Sequence, residues 1–554
     1  MQEKPLPGGS LVKNGKTLLS GIDPVRRAGK VCDAVSVKEK TLYFCPSPIY
    51  GWGLSRLLER LEKEAPSSAV LCVEADSELF ELSQKNIDIS ILNNKRVHIT
   101  KICDIEKIYS LICDLWGSMS FRRIEVVRFT GGYQLFPQIY DSLCEMLRRQ
   151  FADDWSNALT LTKLGRLFIR NCIRNLSLVS IFPSISELSF GEDPVLVLGA
   201  GPSLDETLDA LQITMKNTQR MFKIICVDTC LGALKDRGIS PDLVVILESQ
   251  HWNLRDFIGS ADAKISAAID ISSLPASAKI LNGESFLFFT PWTHLKIFER
   301  LKDARILPAA ISPLGSVGLT AVHITRRLTR GKIFCAGLDF SFTADKYHAR
   351  GTPGHRGKLN KKTRLLQFFN NAAFDETAIA AVSKSGENVY TNPVMKNYRA
   401  LFEQEFGGDE RVYDIEGTGL PLGVKTLSID EVMEELKKEN NHREHGGHGG
   451  ENEETVRVRT VKPEVCGKKE KINSFYENEK KMLAELRGIL TGEAEANQER
   501  LNALITECDY LWAHFPDCAG RNNDSQKKYL NEKSFLKRVR AEIDPMLKLI
   551  SHII

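Results

Sequence analysis

Between residues 191 and 430 the chain repeats one local outline: a short apolar run, a turn, then a helix-length stretch. The runs are "PVLVLG", "FKIICV", "DLVVIL", "AKISAAI", "SFLFF" and "KIFCAGLDF", and none alternates apolar with polar residues. A strand with one wet face shows that alternation, whereas a strand covered on both faces does not. Runs of this kind separated by helices predict an α/β fold: a doubly wound, mostly parallel, Rossmann-like sheet with helices on both sides.

A shorter version of the outline occupies the first 150 residues. "TLYFCPSPIYGWGLSRLLERLEKE" and "SSAVLCVEADSELFELSQ" read as strand, helix and strand, the second strand ending at Glu74 and Asp76. Close approach of backbone to phosphate needs small residues, and Pro46, Pro48 and Trp52 crowd that turn. We read it as a degenerate Rossmann-like domain without a ligand.

A chain of 554 residues exceeds one compact core. The expected division is an N-terminal domain at 1–150, a helical connector at 151–190 containing "LTKLGRLFIRNCIRNLSLVSIF", the richer α/β domain at 191–430, a charged linker at 431–470 and an α-helical C-terminal region at 471–554. The linker is poor in aromatics and holds Gly-Gly pairs, so it cannot bury enough apolar surface to fold alone. His442, His445 and His448 within it read as solvated linker rather than as metal ligands.

With 74 basic and 71 acidic residues the net charge is +3, so no nucleic-acid partner is expected and any anion site must be local. The start, "MQEKPLPGGSLVKNGK", lacks an apolar signal region, and no apolar run approaches the ~18 residues of a membrane span. We expect a cytoplasmic protein. The 13 cysteines fall mostly inside apolar stretches and read as reduced core thiols, the pair Cys226 and Cys230 included.

The first apolar run leads into "GAGPSLDE". Gly199 and Gly201 permit a sharp strand-to-helix turn and let a ligand approach the backbone. Ser203 is a natural N-cap and Glu206, three residues on, completes a capping-box pattern. The free amides of the first turn and the positive end of the helix dipole suit a phosphate. A P-loop would continue with Lys and Ser or Thr, and a dinucleotide fingerprint would place a third glycine where Leu204 stands. The turn therefore reads either as an unusual phosphate site or as a βα turn without a ligand.

Ligands of doubly wound sheets sit at the carboxyl ends of the strands, where Asp228 and Glu248 are expected; each reads equally as a ligand contact or as a solvated strand-end acid. Gly315, Ser316, Val317 and Gly318 precede a helix and can offer a second set of amides. After "KIFCAG" come Asp339, Tyr347, His348 and His355 in a Gly-rich, basic loop. Histidine there suits proton transfer, because its unperturbed pKa lies near working pH. His98, His251, His294 and His323 lack such company and read as structural or surface residues.

Gly199 to Leu204, the Pro241 and Asp242 pair, Gly315 to Val317, and "GLDFSFTADKYHA" from Gly337 to Ala349 together resemble the MptE-like domain of the motility accessory factors of flagellated bacteria. The resemblance implies a sialyltransferase-like fold and a glycosyltransferase moving a nonulosonic acid from a CMP-activated donor to Ser or Thr of flagellin. It implies that Gly199, Gly201, Pro202, Ser203 and Leu204 cradle the CMP phosphate. Asp228 and Gly315, Ser316 and Val317 complete the donor pocket, with Asp339, Tyr347 and His348 at the reaction centre. Glu248 stands where that family more often shows Asp, and His355 is a second candidate base. His348 is our choice of base, with Tyr347 aiding the phosphate. No metal site and no cofactor is expected, since no DxD-type pair stands out. Archaeal MptE-like proteins, which resemble this domain, imply a second reading, an ATP-dependent 6-hydroxymethylpterin diphosphokinase using Mg²⁺ on Asp228, Glu248 and Asp339; a third is a non-catalytic chain that binds flagellin or another export substrate.

Overall fold

In the computed structural model, residues 10–19, 21–117, 119–215, 220, 222–261, 263–364, 370–436, 465–495, 497–518 and 532–553 are described. His442, His445 and His448 lie outside them. The chain divides into two units, residues 1–166 with 511–540, and residues 167–510 with 541–554. The division falls within one long helix, Pro137–Asn175.

The first unit opens with an antiparallel pair, β1 (Leu11–Lys13) and β2 (Lys16–Leu19). Four parallel strands follow, β3 (Thr41–Pro46), β4 (Ala69–Val73), β5 (Val97–Thr100) and β6 (Arg123–Val126), in the order β5-β4-β3-β6. Every residue of β3 and β4 is buried. Tyr43 and Cys45 face one apolar cluster and Leu42 and Phe44 the other, which is why this stretch shows no polar alternation. The turn after β3 is filled by the unit's own side chains: a Cβ on Gly53 would lie 2.6 Å from the Phe129 ring, and one on Gly51 2.8 Å from Ile87. Buried Glu74 accepts the Ser47 hydroxyl at 2.6 Å.

In the second unit the six apolar runs become β7 (Val195–Leu198), β8 (Lys223–Val227), β9 (Leu243–Ile246), β10 (Ser266–Asp270), β11 (Ser285–Phe288) and β12 (Ile333–Ala336). An antiparallel ribbon, β13 (Ile379–Val382) with β14 (Asn388–Thr391), stands apart from that sheet. Two further strands, β15 (Val412–Ile415) and β16 (Lys425–Leu427), complete an eight-stranded sheet in the order β11-β10-β9-β8-β7-β12-β15-β16. All its pairings are parallel. Most side chains of β7 to β12 are fully enclosed, and each buried Val, Leu, Ile or Phe contributes about 1.5–3 kcal/mol. From β7 the chain steps outward through β8 to β11, then returns to pair β12 on the other side of β7. In doubly wound sheets such a reversal is where ligands bind, outside the carboxyl ends of the two strands, here β7 and β12.

Helices close the second unit. Asn171 and Asn175 on the long helix donate to the carbonyls of Ser249, Ser272, Ile271 and Ser273 at 2.9–3.1 Å. Arg300, on the helix Lys296–Asp303, grips Glu479 of the helix Val465–Thr491 at 2.7 and 3.0 Å and Glu507 at 2.7 Å. Ten of the twelve described cysteines are buried, Cys226 and Cys230 included, and all twelve are free thiols. Among the described residues no helix is long and apolar enough to cross a membrane.

Candidate functional site

At this switch point three segments meet and share backbone space. Gly199 follows β7, and a Cβ there would lie 2.4 Å from the Gly337 carbonyl and 2.6 Å from Leu338. A Cβ on Gly318 would meet the same Leu338 carbon at 2.6 Å. The two glycine turns therefore converge on Gly337 and Leu338 at the end of β12. Buried Leu204 would lie 3.0 Å from a Cβ on Gly337, so the close approach that a third glycine gives a dinucleotide turn comes here from the opposite segment.

Pro202, Ser203 and Leu204 are all buried, and the helix Leu204–Met215 begins directly behind them. Ser203 does not act as the simple cap its sequence position suggests. Its N–H donates to Asp339 Oδ2 at 2.7 Å and its hydroxyl to Asp339 Oδ1. A carboxylate reaching the helix end from β12 satisfies both donors and interacts favourably with the dipole. Burial pushes the Asp339 pKa up, and Lys384 and Ser203 oppose that shift.

Gly315 has φ +70° and leads into the helix Val317–Leu328, whose cap residue Ser316 makes no side-chain capping bond. The first amides of that helix are thus left uncapped by the Ser316 side chain, at the same end of the sheet as Leu338.

The loop after Asp339 is fastened over the first turn. The Ala349 N–H donates to the Ala200 carbonyl at 3.0 Å, which holds the backbone next to His348 against the first turn, while the imidazole Nδ1 lies 3.1 Å from where a Cβ on Gly354 would stand. Asp205, on the first turn of its helix, accepts the Arg350 N–H at 2.9 Å and pairs with Lys346 (3.1 Å), Arg237 (3.1 Å) and the Arg350 side chain (3.2 Å). Burial pushes its pKa up, but Lys346 and Arg350 hold it below the usual range. Gly351, at φ +90°, would drive a Cβ to within 2.6 Å of Asp236 and 2.9 Å of Ala233, so the loop rests on a second helix as well.

His348 is half-buried. Burial lowers its pKa to about 4, helped by Lys358, so the imidazole is neutral at pH 7 and able to accept a proton. Its ring lies edge-on to Tyr347 at 4.9 Å, and Tyr347 stacks on Phe342 at 5.0 Å. Burial pushes the Tyr347 hydroxyl up. His355 sits in the first turn of the helix Pro353–Leu359, its N–H on the Thr352 hydroxyl at 3.4 Å. Burial also lowers its pKa.

The remaining predicted acids lie further along the sheet edge. Asp228 directly follows β8 and is buried, accepting from Asn253 at 2.6 Å and from the Thr229 N–H at 2.8 Å. Burial, with Asp256 nearby, pushes it to about 7, and burial brings Asp256 itself to about 6. Glu248, beyond β9, is exposed and accepts the Gln250 N–H at 2.9 Å. At a strand spacing of about 4.8 Å, Asp228 stands roughly 10 Å and Glu248 roughly 14 Å along the edge from Asp339. They do not form one ligand set with it. Among the described residues no group of three or more His, Cys, Asp or Glu is placed to hold a metal ion.

Three contributors were not anticipated from sequence. Lys384 pairs with Asp414 of β15 at 2.6 Å, both nearly inaccessible, and burial raises Asp414 to about 6. Gly417 and Gly419, after β15, press on Ser203 and Asp339: Cβ atoms there would lie 2.7 Å from Ser203 Cβ and 2.8 Å from Asp339 Cα. The Asp205 clamp is the third. Only the glycines left a readable signal, a strand followed by Gly-x-Gly in "VYDIEGTG".

The family described as "6-hydroxymethylpterin diphosphokinase MptE-like" matches residues 168–345. An uncharacterized protein of Treponema pallidum (strain Nichols) is 30% identical over 530 residues, covering 94% of this chain and 89% of that one. A Maf glycosyltransferase from Magnetospirillum magneticum AMB-1 shares the fold over 99% of this chain and 84% of its own, at a TM-score of 0.51 and 13% identity.

Proposed function

We propose, for a chain that belongs to the MptE-like, motility accessory factor family, that the site at the carboxyl ends of β7 and β12 transfers a nonulosonic acid from a CMP-activated donor to Ser or Thr hydroxyls of flagellin in the cytosol. The observation that supports this reading is the fastening of Ala349 to Ala200, which brings the segment carrying His348 against the Gly199–Gly201 turn. The donor phosphate lies against the amides of Ser316 to Gly318, with Lys346 and Arg350 on its other side; Gly199, Gly201 and Ser203 form the floor of the site.

The acceptor hydroxyl attacks the anomeric carbon as the bond to the phosphate oxygen breaks. CMP leaves with the electron pair, and the hydroxyl proton passes to His348. The amides and cations offset charge growing on the leaving phosphate. Tyr347 positions the imidazole through its edge contact.

The description of the matched family supports a second reading, pterin diphosphorylation. That chemistry ordinarily draws on Mg²⁺ held by carboxylates, and Asp228, Glu248 and Asp339 do not fit such a set. Intact mass of co-expressed flagellin tests the proposal: a sugar-sized increment with the wild type and none with His348→Ala is expected. Unmodified flagellin in both would leave the transferase reading without support, and EDTA-sensitive consumption of ATP and 6-hydroxymethylpterin would replace it.

A further inference from the structure

The Ser203 turn stands on a set of enclosed charges. Asp339 takes the Ser203 N–H and hydroxyl on its two oxygens. Gly419 packs against it, and the Leu420 N–H donates to the Asp339 carbonyl at 2.8 Å. Gly419 is held in turn by the hairpin tip between β13 and β14, its carbonyl accepting the Lys384 N–H at 2.9 Å. From that tip Lys384 Nζ reaches Asp414 Oδ1 of β15 at 2.6 Å, on side chains 6% and 2% exposed. Asp414 Oδ2 is enclosed and has no hydrogen-bond partner.

One ammonium thus serves two enclosed carboxylates. An unpaired charge without water is costly, and a like charge nearby raises the proton affinity of a carboxylate. The donors decide which one takes the proton. Both Asp339 oxygens hold Ser203 donors, which favours its charged form, whereas Asp414 Oδ2 is bare. Asp414 is therefore the seat of the exchangeable proton, in a pair that titrates as a unit. Burial pushes Asp414 up to about 6, with Lys384 and the Ile415 N–H opposing and Asp339 adding to the shift. Two other titratable groups face the three. Asp205 acts on Asp339 from the helix Leu204–Met215, already paired with Arg237, Lys346 and Arg350. Cys335 of β12 feels Asp414, and burial keeps its thiol neutral.

We infer that Lys384 and Asp414 are positioning residues for the donor phosphate and act through Asp339. With a proton on Asp414 the three groups sum to zero and the Ser203 turn admits an anion; without it they are net negative and the turn repels one. By reciprocity, an anion that enters draws a proton in. This role rests on the reading that the donor phosphate enters at that turn.

The test uses cytidine 5′-(methyl phosphate), a diester like the donor whose single negative charge is constant from pH 5.5 to 8, so that only the protein titrates. Its binding to the full-length chain is followed by calorimetry in two buffers of unlike ionisation enthalpy. The wild type should bind about tenfold more weakly at pH 8 than at pH 5.5 and take up protons on binding at pH 7. Asp414→Asn keeps the side-chain size and should bind at pH 8 as tightly as the wild type at pH 5.5, without uptake. Lys384→Met lets both carboxylates hold protons to higher pH, so its affinity should equal the wild type's at pH 5.5 and fall about one pH unit later. A merely structural lysine would instead lower affinity alike at every pH. Wild-type affinity independent of pH overturns the proposal, as does a pH dependence that Asp414→Asn retains, or no binding. Sugar-modified flagellin alongside any of these leaves the transferase reading standing without the coupling. Proton-linked binding with flagellin unmodified keeps the coupling and sinks that reading.

Discussion

The Asp339 carboxylate accepts the Ser203 N–H at 2.7 Å and the hydroxyl proton of the same serine, so the amino end of the Leu204–Met215 helix already faces a negative charge supplied by the chain. A phosphate approaching this turn meets that carboxylate unless it carries a proton. Replacing Asp339 with Asn removes the repulsion, and CMP should bind roughly tenfold tighter at pH 8, about 1.4 kcal/mol. Burial raises the Asp339 pKa, so the wild type should approach the variant as the pH falls. Calorimetric titration checks both; an unchanged affinity at pH 8 would place the phosphate elsewhere.

Loss of the base should appear in turnover rather than in donor binding. His348→Ala is expected to lower kcat by about 10²–10⁴ with the donor KM nearly unchanged. With a folded pKa of about 4, kcat/KM should stay level from pH 7 to 5 and fall near 4. A break near 6.5, the ordinary imidazole value, would point to another histidine.

Asp205 holds three cations and a backbone N–H on a side chain 5% exposed. Asp205→Asn should cost about 1–3 kcal/mol in urea unfolding, less than a fully enclosed pair because Arg350 is half-exposed. It should also lower kcat/KM by releasing the His348 loop. Unchanged unfolding and turnover together would show that the clamp holds nothing in place.

Asp228 binds its proton more tightly when folded, with a pKa of about 7 against an ordinary 3.8. Its contribution is fully present below pH 3.8 and is lost as the pH rises through 7. Asn removes the buried charge at the cost of one accepted hydrogen bond, because its amide nitrogen cannot accept from Asn253 or from the Thr229 N–H. Asp228→Asn should therefore be more stable than the wild type at pH 8, on the order of 2 kcal/mol, with the gain gone by pH 4. Denaturation at pH 4, 6 and 8 checks the sign, and a gain that grows toward acid would refute it.

Strands β7 to β12 were readable because both faces are covered, so their runs contain almost nothing polar. β15 and β16 were not: "VYDI" carries Asp414 for Lys384, and "KTL" is a short, exposed edge. Within the site, Gly199 and the stretch from Gly337 to Ala349 were visible, since steric need for glycine and the chemistry of histidine leave local marks. The pairing of Asp205 with Arg237, Lys346 and Arg350 left none, because it exists only once three distant segments meet. Ser203 shows the same limit: local pattern suggested a capping box, and a carboxylate from 136 residues away takes its hydroxyl.

The strand order has a temporal consequence. β7 leaves the ribosome long before β12, its neighbour at the switch point, so a nascent chain that has released Gly201 but not Leu338 has a half-built sheet with β7 as a bare rim. Non-local pairing of this kind is slow and exposed to misassociation. Truncation before β12 would abolish the binding cleft outright, however much of the earlier sheet had already formed.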